Sequence, residues 1–342
     1  MILNRTERQQ LGVRKWLATK GRGTLQWSTG VGKTRAALMA IKGYLSKNTN
    51  KNIVIVVPTE HLKIQWIQEL SHYFLISFVK VEIINSAIKK DDHIDFLILD
   101  ECHRIPSDSF YAIFDKRTPS AVLGLSATFS RLDGRHQLLE QFCPVCDVIT
   151  VQEAIKNQWL SPYREYKVLI EPDDLNIYRE ANREFIDSFS VFDFDFKLAM
   201  DCMTNIINRR YYGKKIGMDA KTLDAIVFSW GRALRARKAY VMNHPKKIEL
   251  TRKIIAARPF KKIITFSATI AQAEKIGYGY VVHSGKTKKK NRMTIEEFSQ
   301  IPTGVINTAK SLDEGADIKG LNVAIILSNS SSQTQKTQRV KF

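Results

Sequence analysis

Long apolar runs are missing from this chain. No stretch approaches the ~18 residues of a membrane-crossing helix, and Arg5, Arg8 and Arg14 interrupt the region where a secretory leader would place its apolar core. Cysteine is scarce, with four in 342 residues. Reduced thiols and a cytoplasmic or nuclear setting, away from any membrane, are therefore expected. Cys143-Pro144-Val145-Cys146 has the spacing of a metal knuckle, yet no second such pair or paired histidines accompany it. His136 and Cys202 are conceivable partners without a supporting pattern, so a zinc site is not expected. No internal repeat of short period appears.

Acid is also in short supply. The chain carries 53 lysines and arginines against 34 acidic residues, a net charge of +19. The imbalance is local: residues 201–300 hold 22 basic and 7 acidic side chains, whereas residues 151–200 hold 6 and 10. A generally basic surface would spread the excess more evenly. A concentrated excess fits a polyanion, and nucleic acid in particular.

What is present centres on Ser28-Thr29-Gly30-Val31-Gly32-Lys33-Thr34. It lies between a short apolar run ending at Trp27 and an apolar-periodic segment from Ala36 to Leu45. Strand, glycine-rich turn, then helix is the context of a phosphate-binding loop, although an ordinary glycine-containing turn would share part of it. Gly30 and Gly32 let successive N–H groups point at phosphate oxygens. Lys33 can reach the β- and γ-phosphates, Thr34 can take a Mg²⁺ position, and the following helix dipole favours an anion. Trp27 stands where the strict pattern has its first glycine, so only the second half of that pattern is present.

A second apolar run, Ile94 to Leu99, ends in Asp100-Glu101-Cys102-His103. A buried parallel strand that delivers two acids to its C-terminal edge is where an α/β sheet builds a site. Asp100 would hold Mg²⁺ and Glu101 would orient and deprotonate an attacking water. Two adjacent acids can also be solvated turn residues; the preceding phosphate loop favours the catalytic reading.

Strand and helix signals alternate from residue 20 to about 150, with strands expected at Leu25–Trp27, Ile53–Val57, Val79–Ile84, Phe96–Leu99 and Ala121–Leu125. Residues 163–170 read as one more strand, and Asp174–Phe189 as a helix capped by Asp173 or Asp174. Residues 195–242 read as helical and basic. There Arg232, Arg235 and Lys238 recur at three-residue spacing, while Ile226, Trp230 and Leu234 take another face. Such a stripe suits a phosphate backbone and equally suits a solvated helix. Alternation resumes with strands at Lys262–Phe266, Gly279–Val282, Gly304–Asn307 and Asn322–Leu327, and the run containing Lys288, Lys289 and Lys290 is expected to be a loop. The chain thus divides into an α/β domain over 1–160, a connecting strand and basic helical segment over 161–242, and a second α/β domain over 243–342.

These motifs form an ordered set that resembles superfamily 2 helicases and translocases, motors of two RecA-like domains with ATP in the cleft between them. The Gln9-Gln10 pair looks like the adenine-reading element, with Gln10 as the reader. Val57-Pro58-Thr59, with Gln65-Trp66 after it, is similar to the first nucleic-acid-contacting motif, which assigns Pro58 and Thr59 to nucleic acid. Asp100-Glu101-Cys102-His103 reads as a DExH box, and Ser126-Ala127-Thr128 as the motif coupling hydrolysis to movement. Thr308 through Asp317 resembles the motif that contacts both ligands: Thr308 and Lys310 toward nucleic acid, Asp313 and Gly315 toward nucleotide. Gly124-Leu125-Ser126-Ala127-Thr128-Phe129 followed by Arg131 to Arg135, and Glu153-Ala154-Ile155 leading to Leu160-Ser161-Pro162-Tyr163, are similar to the XPB-like and phage UvsW-like group.

The resemblance implies an ATP- and Mg²⁺-dependent motor on duplex or branched DNA, with RNA as the alternative, acting without an obligate oligomer. The short build is more viral or bacterial than eukaryotic. Arg232, Arg235 and Lys288–Lys290 would add phosphate contacts. One departure concerns the final motif, Q-x-x-G-R-x-x-R. Gln338-Arg339-Val340 opens it, with Arg339 near the nucleotide, but Lys341 and Phe342 stand where glycine and the first arginine belong. A truncated second domain that binds ATP and DNA but hydrolyses weakly is one expectation from this. The motor subunit of a larger complex is another.

Overall fold

The computed structural model describes residues 4–47, 51–104, 108–129, 136–309, 318 and 320–328. In sequence the chain divides between Glu165 and Tyr166 into two compact units. The first contains, in order, α1 (Arg5–Ala18), β1 (Arg22–Trp27), α2 (Lys33–Leu45), β2 (Ile53–Val57), α3 (Glu60–His72), β3 (Val79–Ile83), α4 (Ile84–Ala87), β4 (Phe96–Asp100), α5 (Asp108–Arg117), β5 (Ala121–Ser126), α6 (His136–Glu140), β6 (Val145–Ile149) and α7 (Val151–Lys156). Its six strands are all parallel, in the order β3-β2-β4-β5-β1-β6.

The composition of β2 explains its central place. Ile53, Ile55 and Val57 join one core with Trp16, Leu25, Ala36 and Trp66. Val54 and Val56 join the opposite core with Leu97, Leu99 and Ile113. A strand of β-branched residues buried on both faces needs helices above and below, which parallel crossovers supply. Strand order then sets the site. Because β5 lies between β4 and β1, the C-terminal ends of all three strands are neighbours, with Gln26 opposite Ser126 and Asp100 opposite Leu125.

The sixth strand, β6, was not among the expected ones. Its Asp147 breaks the apolar pattern because it belongs to a buried ion cluster. Arg8 Nη1 and Lys15 Nζ each lie 2.6 Å from Asp147, and Trp27 Nε1 donates to it at 2.8 Å. The strand expected at 163–170 is a correction. That stretch has no regular structure and its side chains are largely exposed, Leu169 at 94%. Alternation alone does not hold a strand without a partner for its backbone N–H and C=O groups.

The second unit contains α8 (Asn176–Ser190), α9 (Phe196–Thr204), α10 (Ile206–Ile216), α11 (Ala220–Asn243), α12 (Pro245–Ala256), β7 (Lys262–Ser267), α13 (Ile270–Lys275), β8 (Tyr280–His283), α14 (Lys288–Gln300), β9 (Gly304–Ala309) and β10 (Val323–Ile326). The helix α8 starts later than expected, at Asn176, whose N–H donates to Asp174 Oδ1 at 2.7 Å. Helices α8, α9, α10 and α11 pack around the buried Trp230. Phe185, Phe189, Phe192 and Phe196 place their rings 5.6–6.3 Å from its indole. The four strands form a parallel sheet in the order β10-β7-β9-β8. Among the described residues no helix is long and apolar enough to cross a membrane.

Candidate functional site

The turn after β1 has the backbone its glycines were expected to permit. Gly30 and Gly32 adopt φ of +82° and +98°, and Gly32 leads directly into α2. A Cβ on Gly32 would lie 2.2 Å from Gln9 Nε2, and one on Gly30 would lie 2.6 Å from Leu160. Both positions combine left-handed backbone with a Cβ position that the tip of the Gln9 or Leu160 side chain would have to vacate. Lys33 opens α2 and donates from Nζ to Trp27 O at 3.0 Å. Val31 is buried, and Thr29 and Thr34 lie beside it at intermediate exposure. Trp27, which replaces the usual first glycine, is fully buried and anchored on Asp147, so it serves as a wall beneath the turn.

Gln9 corrects one expectation. Gln10 is exposed. Gln9 is 1% exposed and donates from Nε2 to Val31 O at 2.8 Å. The pair sits on α1, where neighbours in sequence point to different faces. The packing of α1 puts Gln9, and not Gln10, against the turn. Arg5, on the same helix, donates to the carbonyls of Val31 and Gly30, a contact the sequence did not suggest.

At the end of β4, Asp100 Oδ2 accepts from Trp66 Nε1 at 2.8 Å and Asp100 Oδ1 from Glu101 N at 3.0 Å. Burial, followed by the neighbouring Glu101 carboxylate, pushes the Asp100 carboxyl up to about 6, against the opposing influence of Trp66 and Lys33. A divalent cation would relieve both causes. Glu101 has φ of +47°, a left-handed conformation that costs a non-glycine residue about 1–3 kcal/mol and recurs at functional sites. His103 Nδ1 lies 3.4 Å from Glu101 Oε2 and 2.9 Å from Ser126 Oγ. Ser126 Oγ also lies within hydrogen-bond reach of Thr128 O, so the three groups form one chain. The DExH histidine and the Ser126–Thr128 segment are thus joined.

Among the described residues, four buried side-chain atoms on these segments lack hydrogen-bond partners: Gln9 Oε1, Ser28 Oγ, Glu101 Oε2 and Thr128 Oγ1. Orphaned polar atoms are costly and each calls for a cause. A nucleotide phosphate could accept from the Ser28 and Thr128 hydroxyls and a cation-bound water could donate to Glu101 Oε2, with the Thr34 hydroxyl and Asp100 as the cation's protein partners, whereas Gln9 Oε1 calls for a donor that a phosphate does not supply. The knuckle-spaced cysteines do not share this character. Burial pushes Cys143 up to about 12 and Cys146 up to about 11, which keeps both as thiols. Among the described residues no group of three His, Cys, Asp or Glu side chains converges on a metal position.

The expected nucleic-acid residues are scattered. Pro58 and Thr59 follow β2 at intermediate exposure, and Thr59 caps α3 by accepting from Leu62 N at 3.3 Å. Thr308 is a correction: it is buried in β9 and donates to Thr265 O at 2.9 Å, so its hydroxyl faces the domain core. Lys288, Lys289 and Lys290 are exposed but form the first turn of α14 rather than a loop, because Thr287 accepts from Lys290 N and caps the helix. Arg232 and Arg235 are exposed on α11, and Arg232 pairs with Glu184. Lys310, Asp313, Gly315 and Arg339 lie outside the described residues, as does the final motif.

Comparison with known proteins agrees with this geometry. The family described as type III restriction enzyme, res subunit, matches residues 2–91 and 76–131, and the helicase conserved C-terminal domain matches residues 246–341. The chain is 25% identical over 357 residues to the DNA 3'-5' translocase XPB2 of Sulfurisphaera tokodaii, covering 97% of this chain and 76% of that protein. It is 33% identical over 151 residues to a putative ATP-dependent RNA helicase of African swine fever virus, covering 37% of this chain and 29% of that protein. The helicase domain of Pyrococcus furiosus Hef shares the fold, with a TM-score of 0.55 at 16% identity over 100% of this chain and 94% of that one. Two parallel α/β sheets, a glycine-rich turn beside a DExH box, a restriction-enzyme res-subunit match in the first unit, a helicase C-terminal match in the second and similarity to an XPB translocase along nearly the whole chain together support a superfamily 2 helicase of XPB-like type.

Proposed function

We propose that the chain couples ATP hydrolysis to movement along DNA, on duplex or branched substrates, inside a cell and without an obligate oligomer. Residues 1–160 would bind nucleotide, 161–242 would connect, and 243–342 would form the second motor domain. The observation that carries the reading is the convergence of the Gly30–Thr34 turn, Asp100-Glu101 and Ser126–Thr128 at the ends of three adjacent strands.

Each residue has a task that follows from its place. Lys33 leaves the Trp27 carbonyl and pairs with the phosphates, while the N–H groups of the turn hold their oxygens. Thr34 and Asp100 would hold Mg²⁺, which when bound neutralises phosphate charge. Glu101 takes the proton of the attacking water. His103 relays the state of Glu101 to Ser126, and so to the segment after β5. Gln9 presents its unpartnered Oε1 beside the turn. Gln9→Ala should weaken nucleotide binding about tenfold, the scale of one lost hydrogen bond, whereas Gln10→Ala should leave it unchanged. Titration with a fluorescent ATP analogue measures both, and equal effects would reverse the assignment.

The test of the function is ATP turnover with and without branched or duplex DNA, using Lys33→Ala as the blank. Stimulation by DNA, absent from the variant, is the expected result. Binding should lose roughly 10³-fold or more between about 50 and 200 mM salt if some six phosphates are contacted. The similarity to a viral RNA helicase motivates one competing reading. RNA that displaces DNA and stimulates turnover more strongly would favour it.

A further inference from the structure

Trp66 is 2% exposed, on α3, in a core shared with Leu70 and the β2 residues. An indole there fills space as any apolar side chain would. Its N–H does something more specific: it points at Asp100 Oδ2 from 2.8 Å. The other carboxylate oxygen accepts the neighbouring Glu101 N–H. With both oxygens held by donors of fixed direction, the carboxylate plane has one orientation. One of these donors comes from the chain's own turn, and the other comes from a different helix.

We infer that Trp66 is a positioning residue for the metal site, its indole N–H setting the orientation of the Asp100 carboxylate for Mg²⁺. The inference rests on the nucleotide reading of this site. It gives α3 a second role beside packing, because the helix that Thr59 caps also carries the donor that aims the metal-binding acid. Donors behind a metal ligand act in this way generally, and their removal typically lowers metal affinity by about 10–100-fold.

The decisive change deletes the N–H and keeps the shape. Replacing Trp66 in the full chain with 3-benzothienyl-alanine, by nonsense suppression, substitutes sulfur for the ring nitrogen. Trp66→Phe serves as a second variant. Binding of a fluorescent ADP analogue is titrated against free Mg²⁺, and again without Mg²⁺. The expected result is a roughly tenfold higher Mg²⁺ concentration at half-maximal binding, with metal-free nucleotide affinity unchanged. In the metal-free wild type, the indole N–H resonance missing from Trp66→Phe should exchange slowly with solvent. A Mg²⁺ requirement within twofold of wild type in the benzothienyl protein would overturn the inference, as would equal losses of binding with and without Mg²⁺. Wild-type protein that binds no nucleotide at any Mg²⁺ concentration would overturn the nucleotide reading, and this inference with it.

Discussion

Glu101→Gln should stop turnover while leaving nucleotide bound. The substitution keeps the size of the side chain and removes the base, so hydrolysis should fall by about 10²–10⁴-fold, with affinity for the ATP analogue changed by less than threefold. The structure supplies the reason. Glu101 is held in a left-handed conformation with Oε2 buried and unpartnered, 3.4 Å from His103 Nδ1. Packing has set this carboxylate apart from ordinary surface acids. Single-turnover hydrolysis beside equilibrium binding separates the two effects. Retention of more than a tenth of the wild-type rate would assign the base elsewhere.

Asp147→Ala should be the most damaging change outside the site. Asp147 is 1% exposed in its side chain and accepts from Arg8, Lys15 and Trp27. Its removal leaves Arg8, 9% exposed in its side chain, with only Glu153 as an acidic partner, and leaves the Trp27 indole unsatisfied. Breaking a buried ion pair by deleting one partner costs about 3–5 kcal/mol. For a domain of roughly 150–250 residues that lowers Tm by about 10 °C. Because Trp27 directly precedes Ser28, nucleotide affinity should fall too.

The pH dependence has a definite sign. Burial would raise the Asp147 carboxyl, but hydrogen bonds from Arg8 and Lys15 outweigh it and hold the group below its ordinary value of 3.8. Its contribution is therefore complete above that value and is lost as pH falls through the depressed folded one. Thermal melts of wild type and Asp147→Asn should converge in acid and diverge above it. Parallel melts over that range would remove Asp147 from the account.

Much of the first unit was legible from residues alone. Buried parallel strands read as near-continuous apolar runs, and glycines with left-handed φ read as a turn, because local sterics and burial on both faces leave few alternatives. The stretch 163–170 misled for the complementary reason: alternation reports a face, while a strand also needs a neighbour. The choice of Gln9 over Gln10 and the burial of Thr308 depend on which side of an element meets the core. A motif's spacing does not carry that information when both candidates are polar.

The contacts that organise the site are longer in range. Arg8 with Asp147, Trp27 with Asp147, Trp66 with Asp100 and His103 with Ser126 join segments whose sequence separation is 139, 120, 34 and 23 residues. No local pattern marks such pairs, since each partner looks ordinary in its own segment. The sequence by itself determined the chemistry available to this protein: a phosphate turn, paired acids after a buried strand, and a basic excess, all encoded in short contiguous runs. Only the tertiary structure decided how that chemistry is aimed. The strand order β4-β5-β1 sets three loop ends side by side, and the Trp66 indole holds the Asp100 carboxylate there, because orientation inside a packed core comes from neighbours that the chain brings from far away.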